Sequence, residues 1–314
     1  MTDTISTPQL MHCYDEESYG RIIMTGRDSA ALLQRLTTND VLALQPNQGL
    51  QTVLTTPIGR IIDVLHVIKV GDALWVLTSP GQGPAVYSHL KKNIFFNDHI
   101  TLTAAARSHR QVAIYGSGAT AFVGQLSGRD LAAIPQWQAT VFVVAEADII
   151  ATPIAPLAGG GWRLLIPTDV FAACGLDGLP VASDALLNQW QIESFVPAYG
   201  HELSTEYIPL EAGLEQAISF KKGCYVGQEI IARMESRGRR AKQLSRVRLA
   251  ALVTTPTALT TTAGRDAGVV TRVIDSPRYG IIGLAYLKTQ IDVSEPLCVG
   301  EVVVQRCDDA WQGV

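Results

Sequence analysis

The sequence predicts an α+β fold, with strands paired by hairpins and helices on one face. Three observations carry this reading. Strand-like apolar runs dominate the first half, among them "IIDVLHVIKV" (61–70) and "ALWVLTS" (73–79), with the hairpin signal "GDA" (71–73) between them. Helical runs are interleaved with these strands. After residue 240 the helical texture gives way to short strand runs.

The elements follow in order. "RIIMTG" (21–26) reads as a strand ending in a turn, and "RDSAALLQRL" (27–36) as a helix with Asp28 or Ser29 as N-cap. Further strands are expected at 50–56, 110–115, 139–144 and 162–166, and further helices at 81–95, 118–126 and 183–192. "QVAIYGSGATAFVGQL" (111–126) echoes "RIIMTGRDSAALLQRL" (21–36), since both read strand, Gly, short link, helix. That echo suggests an internal duplication. "AKQLSRVRLAAL" (241–252), "GVVTRVI" (268–274), "YGIIGLAYL" (279–287) and "GEVVVQR" (300–306) suggest a small β-barrel or sandwich. The expected domains are 1–240, with a subdomain break near 105–110, and 241–314.

Of the 314 residues 47% are hydrophobic and 17% charged, which excludes a disordered chain. A net charge of −4 argues against wholesale coating of nucleic acid, while leaving room for a local basic patch. The most apolar stretch, 141–157, is broken by Glu146, Asp148 and two prolines, so no membrane span is expected. The opening "MTDTISTPQL" lacks the basic and apolar regions of a signal peptide. The five cysteines (13, 174, 224, 298, 307) form no CxxC pair and fit reduced thiols, so a cytoplasmic location is expected.

The richest stretch for chemistry is "KKGCYVGQEIIARMESRGRR" (221–240). "VGQEIIARMES" predicts a three-turn helix, with Ile230, Ile231 and Met234 on one face and Glu229, Arg233 and Arg237 on another. Gly238 is its expected stop. Cys224 precedes this helix, beside Lys221 and Lys222. Dipole and lysine charge favour a thiolate there, while a tight Gly223-Cys224 turn with an inert buried thiol is the structural reading. Both stay open on the residues alone. Arg233, Arg237, Arg239, Arg240 and Lys242 read either as an anion clamp or as a solvated helix end.

Between 192 and 214 lie Glu193, His201, Glu202, Glu206 and Glu211. One histidine does not make a zinc site, so no metal centre is expected there. Glu211, before a Gly turn, suits a carboxylate that accepts two N–H donors from a heterocycle, or a capping glutamate. No dinucleotide fingerprint, P-loop or nucleophile elbow is present. His66, in an alternating strand, reads as a packed or surface histidine.

"IPLEAGLEQAISF" (208–220) followed by "KKGCYVGQE" (221–229) resembles the signature of the YgfZ branch of the YgfZ/GcvT folate-binding family. The run 26–63, "QVAIYGSGA" (111–119) and the C-terminal strands are similar to the same family. Lys222, Gly223, Cys224, Tyr225, Gly227, Gln228 and Glu229 match the signature. The resemblance implies an aminomethyltransferase-like fold of three parts around a central hole that holds tetrahydrofolate or another folate, with 241–314 as a C-terminal β-barrel. It implies a role in assembly or repair of 4Fe–4S enzymes, and so indirect support of tRNA modification. Cys224 matches the cysteine thought to matter for function.

The sister branch, the glycine-cleavage aminomethyltransferases, carries a paired Asp-Asp where this chain has "GRIIDVL": Asp63 remains and Val64 replaces the second acid. The family's pterin-binding Glu is matched by Arg163, which is donor-only. Tyr19 matches a folate-contacting aromatic. The other such position falls on Leu187, with Trp190 close by.

The expectation is therefore a folate-binding accessory protein for iron–sulfur enzymes. Cys224 serves as its functional thiol in transient contact with a cluster, and Tyr19, Trp190, Glu211 and Arg233 contact the folate. Its partners are iron–sulfur client or assembly proteins. The alternative is a folate-dependent one-carbon transferase that uses Asp63. A third and weaker reading is direct tRNA contact through the arginine run.

Overall fold

The hairpin of the strands Ile61–Val70 and Ala73–Pro80 shows how local sequence sets the fold. In this computed structural model, which describes residues 11–238 and 240–307, Val70 pairs with Ala73 across a two-residue Gly71-Asp72 loop. Gly71 has a φ of 55°, the left-handed conformation that such a loop takes. The opening ten residues, on which the signal-peptide reading rests, lie outside the described residues. So do Arg239 of the basic run and 308–314 of the expected C-terminal domain.

In chain order the elements are β1 (His12–Asp15), β2 (Tyr19–Thr25), α1 (Ser29–Leu36), β3 (Gly49–Thr55), β4 (Ile61–Val70), β5 (Ala73–Pro80), α2 (Gly83–Lys92), β6 (Thr101–Ala104), β7 (His109–Tyr115), α3 (Ala119–Ser127), β8 (Thr140–Val144), β9 (Ala147–Leu157), β10 (Gly160–Pro167), α4 (Asp184–Glu193), α5 (Gln228–Arg237), β11 (Lys242–Leu249), β12 (Thr257–Thr261), β13 (Asp266–Ser276), β14 (Gly280–Lys288), β15 (Leu297–Val299) and β16 (Val302–Cys307). One five-stranded sheet has the order β1-β7-β10-β9-β8, and a second has β3-β4-β5-β2-β6. The α+β expectation holds, with strands paired as antiparallel hairpins.

The apolar stretch 141–157 resolves into the β8–β9 hairpin. Its loop residues Ala145 and Glu146 both have positive φ, 46° and 67°. Helix α2 ends at Lys92, short of the expected 95, because the Phe95 N–H turns to the Asp98 carboxylate. The echo between 21–36 and 111–126 is real as local geometry. Strands β2 and β7 each run into a left-handed glycine (Gly26, φ 104°; Gly116, φ 115°) and then a helix.

By contacts the chain forms two units. The first comprises Met1–Gln34, Asp40–Thr52 and Leu65–Asp184; the second comprises Arg35–Asn39, Val53–Val64 and Ala185–Val314. The first unit has a core of Val112, Ile114, Val123, Ile149, Trp162 and Leu164. A second cluster of Ile68, Trp75, Leu77, Ile150 and Leu165 lies beside it.

In the second unit β11 to β16 close into a barrel in the order β11-β14-β13-β12-β15-β16, and β16 pairs back onto β11. Closure leaves no free strand edge. Val247, Val270, Ala285, Leu287 and Val304 share one barrel core, and Leu244, Ile282, Leu284 and Tyr286 pack with Val53, Ile61, Ile192 and Tyr207 in another. Among the described residues no helix is long and apolar enough to cross a membrane.

Candidate functional site

The signature segment is built from the second unit's own residues. Lys222 is 8% exposed, and its ammonium donates to the carbonyls of Thr37 (2.8 Å) and Asn39 (2.6 Å). It also sits 5.1 Å over the Tyr225 ring, which is itself buried. The Val226 N–H donates to the Arg35 carbonyl, and its carbonyl accepts from the Thr55 hydroxyl. Gly227 has a φ of 83°, and a Cβ there would lie 2.7 Å from the Thr56 carbonyl oxygen and 2.9 Å from Gly59 Cα. Only glycine fits both the conformation and the approach. Lys222 and Gly227 of the signature, with Val226 between them, thus dock on the 35–39 and 55–59 segments.

Gly223 and Cys224 are different. Both are exposed, and no neighbour crowds Gly223. The buried-turn reading of this pair is therefore corrected: Lys222 and Tyr225 are buried on either side, and the thiol between them faces out. The lysine expected to favour a thiolate is instead engaged by two carbonyls. Helix α5 begins at Gln228 with Glu229 exposed in its first turn, and Ile230, Ile231 and Met234 pack against Ile208, Leu210, Ile218 and Tyr225 as the periodicity predicts. Gly238, left-handed at 56°, ends it.

The remaining expected residues of this unit are not gathered around one ligand. Asp63 is fully buried, and its Oδ1 accepts from the Val64 N–H at 2.8 Å. Burial, then the Asp63 charge, pushes the Tyr199 hydroxyl up. Glu211 is 2% exposed; its Oε2 accepts from the Ile208 N–H at 3.0 Å and lies 3.9 Å from Arg60. That is a turn-capping role. Trp190 is buried on α4, and Arg233 is exposed. Arg240 pairs with Glu215 at 2.6 Å, and Lys242 lies over the Tyr207 ring at 4.4 Å. Two members of the basic run are thus already partnered.

The sequence reading missed a hub in the same unit. Glu202, fully buried, is held by Arg272 through Nε (3.1 Å) and Nη2 (2.7 Å), and by the Thr271 hydroxyl and the Ala198 N–H. Arg272 also donates to Asn188, Gln191 and the Val196 carbonyl. All five of its N–H donors are engaged.

The first unit holds a second buried ion pair, around Arg163. This side chain forms a fork with Glu16, Nε to Oε2 at 2.5 Å and Nη2 to Oε1 at 2.7 Å. Burial pushes the guanidinium down, but the charge and hydrogen bonds of Glu16 outweigh it and hold it up. Gln111, fully buried, donates to Glu16 Oε2 at 2.8 Å. Tyr19 lies with its ring 5.6 Å from the Arg163 guanidinium, and burial, then Glu16, pushes its hydroxyl up.

His66 is packed, as expected, with one ring nitrogen against the Trp137 carbonyl at 3.0 Å. Burial, then the Arg163 charge, pushes its imidazole down to about 3. Around this pair the described residues leave three buried polar atoms without a hydrogen-bond partner: Gln111 Oε1, His66 Nδ1 and Arg21 Nε. The sequence signalled Arg163, Tyr19 and His66 but not Glu16 or Gln111. Glu16, the partner of Arg163, is 147 residues away and looks like part of a surface run, "YDEESY".

Chemically, the first unit offers one unpaired acceptor, Gln111 Oε1, beside a buried carboxylate, a second in His66 Nδ1, and a half-buried aromatic ring at 5.6 Å from the Arg163 cation. Such a set fits the N–H groups of a heterocycle in kind, though the carboxylate itself already serves Arg163. Among the described residues no three His, Cys, Asp or Glu side chains are grouped to hold a metal ion.

Comparison with known proteins gives the family. Residues 7–222 match the family described as the GCVT N-terminal domain. The chain is 28% identical over 293 residues to an Arabidopsis thaliana protein named "Putative transferase At1g60990, chloroplastic", covering 91% of this chain and 68% of that one. It is 28% identical over 239 residues to the aminomethyltransferase of Alkaliphilus oremlandii, covering 73% of this chain and 65% of that one. The crystal structure of the glycine cleavage system aminomethyltransferase T from Bartonella henselae superposes with a TM-score of 0.84 at 16% identity, over 96% of this chain and 86% of that chain, and so shares the fold. Matched over more than half its length, the chain belongs to the GCVT N-terminal domain family.

Proposed function

We propose that this protein binds a reduced folate of the tetrahydrofolate type and acts in folate-dependent one-carbon transfer, on a substrate outside the standard aminomethyltransferase reaction. The observation behind the folate part is two buried acceptors of the first unit that have no hydrogen-bond partner among the described residues, Gln111 Oε1 beside Glu16 and His66 Nδ1. They supply what Arg163 cannot, namely acceptors for pterin N–H groups. Tyr19 is the aromatic contact in this reading. Trp190 and Glu211 keep their packing and capping roles, and Arg233 has no part in it. When bound, the folate supplies a carrier for the one-carbon unit.

The names of the relatives favour transfer. The replacement of the second acid by Val64 is the reason the substrate differs, since valine cannot move a proton. Asp63 is the carboxylate left in that run. A tetrahydrofolate titration of the intact chain tests the binding: saturable binding is expected, weakened about five- to tenfold by Gln111→Leu. No saturation would remove folate. Loss of one-carbon transfer in Asp63→Asn is expected, and full activity there would end the transferase reading.

A second reading rests on the exposed thiol. Cys224, held outward between two buried anchors, suits transient contact with an iron–sulfur client or assembly protein, the role of the YgfZ branch, in a cytosol-like compartment. A single thiolate cannot hold a cluster alone, so the partner supplies the other ligands. Complementation measures it: Cys224→Ala is expected to lower 4Fe–4S enzyme activity under oxidative stress while the protein stays folded, and unchanged activity would exclude the thiol. No comparable observation favours direct tRNA contact.

A further inference from the structure

We infer that the second unit carries an oxyanion-binding site at one end of its barrel, made of residues that the folate reading does not use. A cavity of about 350 Å³ opens where β11 begins and β14 and β16 end. That is the size of a small-molecule site. Arg246, Lys288 and Arg306 line it, with Phe195, Ser245 and Cys307, and no carboxylate is among the described lining residues. Three cations in one concave wall without a lining acid make a local positive potential in a chain whose net charge is −4.

The cations are held in place by different means. The Arg246 guanidinium stacks over the Phe195 ring at 4.0 Å, which fixes its plane. Arg306 donates through Nη2 to the carbonyls of Asp292 (3.1 Å) and Ile291 (3.4 Å). Its Nε–H is buried and has no hydrogen-bond partner among the described residues. A buried donor left unpaired is costly, and an acceptor oxygen in the cavity would relieve it. Lys288 is already paired with the exposed Asp266 at 2.6 Å, which offsets most of its charge and leaves the site to the two arginines. Register places Arg246 opposite Cys307 and Val247 opposite Arg306, so the two arginines leave neighbouring positions of paired strands on opposite faces and reach the cavity around the strand ends. Anchored guanidinium groups that present N–H donors recognise phosphate or carboxylate oxygens.

The shared ligand chemistry is thus a small oxyanion, from either a phosphate ester or a carboxylate. Calorimetric titration of the intact chain at constant ionic strength, with inorganic phosphate in one arm and glutarate in the other, distinguishes the two sources. Saturable binding of at least one is expected. Arg306→Gln should weaken it about tenfold or more, and Arg306→Lys, which keeps the charge but loses the Nε–H, by a smaller factor. Arg246→Gln, away from the Arg306 carbonyl anchors, gives the same test if Arg306→Gln does not fold. Iodoacetamide labelling of Cys307, followed by peptide mass mapping, should slow several-fold when the anion is bound. Saturating tetrahydrofolate should leave the anion affinity unchanged, whether or not the chain binds folate. Binding of neither anion, equal binding by wild type and both glutamine variants, or displacement by tetrahydrofolate overturns the inference.

Discussion

Two buried carboxylate–arginine forks lie in this chain, one in each unit, and they differ in how completely they are satisfied. In the second unit Glu202 and Arg272 form a closed network in which every guanidinium N–H has an acceptor. In the first, Glu16 and Arg163 pair equally well, but Gln111, His66 and Arg21 around them each keep a buried polar atom without a hydrogen-bond partner among the described residues. A closed network fixes the unit that contains it. An open one carries unmet hydrogen-bonding capacity into the folded state, which natural interiors tolerate mainly where a ligand or water completes it. On the proposed folate reading, this difference makes the first fork the binding locus and the second scaffold.

The largest effect that would test this contrast is Glu202→Gln. It strips the countercharge from an arginine whose side chain is 4% exposed and weakens a carboxylate held by two other donors. We expect a loss near the upper end of the roughly 3–5 kcal/mol typical of broken buried pairs, read by urea denaturation. Glu16→Gln should cost less, about 3 kcal/mol, because the Arg163 side chain is 12% exposed and can reach water. Equal losses would blur the distinction.

Next comes pH. His66 has a folded pKa pushed down to about 3, against 6.5 unperturbed, so the unfolded chain binds the extra proton between these values. Its contribution is complete above about pH 6.5 and falls as pH drops toward 3. Between pH 6.5 and 5 the loss is roughly 2 kcal/mol. Urea titrations at the two pH values should show it, and His66→Leu should remove that part of the slope. The smallest effect is Cys224→Ala, expected to change stability by less than about 0.5 kcal/mol because the side chain is exposed. A larger change would make the thiol structural.

Much of the scaffold was readable because it depends on local signals. The "GDA" hairpin, the α5 face of Ile230, Ile231 and Met234, its Gly238 stop and the strand runs of the barrel all follow from short-range pattern. The closed ring of six strands was expected as a C-terminal β-barrel; the strand runs alone left barrel or sandwich open, since closure depends on β16 finding β11 some 60 residues earlier, roughly the spacing from 246 to 307.

The site was less readable for the same reason. Arg163 looked like the loss of an acceptor because its partner, Glu16, is far away in sequence. Lys222 looked like an activator of Cys224 because adjacency in sequence does not say where a long side chain ends, and here it ends on two carbonyls. Arg272 sat unnoticed in "VVTRVI", where a charge in a strand run reads as a solvent-facing residue.

The anchoring of Lys222 and Tyr225 has a practical meaning for Cys224. A thiol tethered at both neighbours' sides has little freedom to search, so a spin label or crosslinker attached there would report from a well-defined base on the second unit. Any protein that meets this thiol must bring its own group to that spot, and distances measured from it would map where the visitor stands.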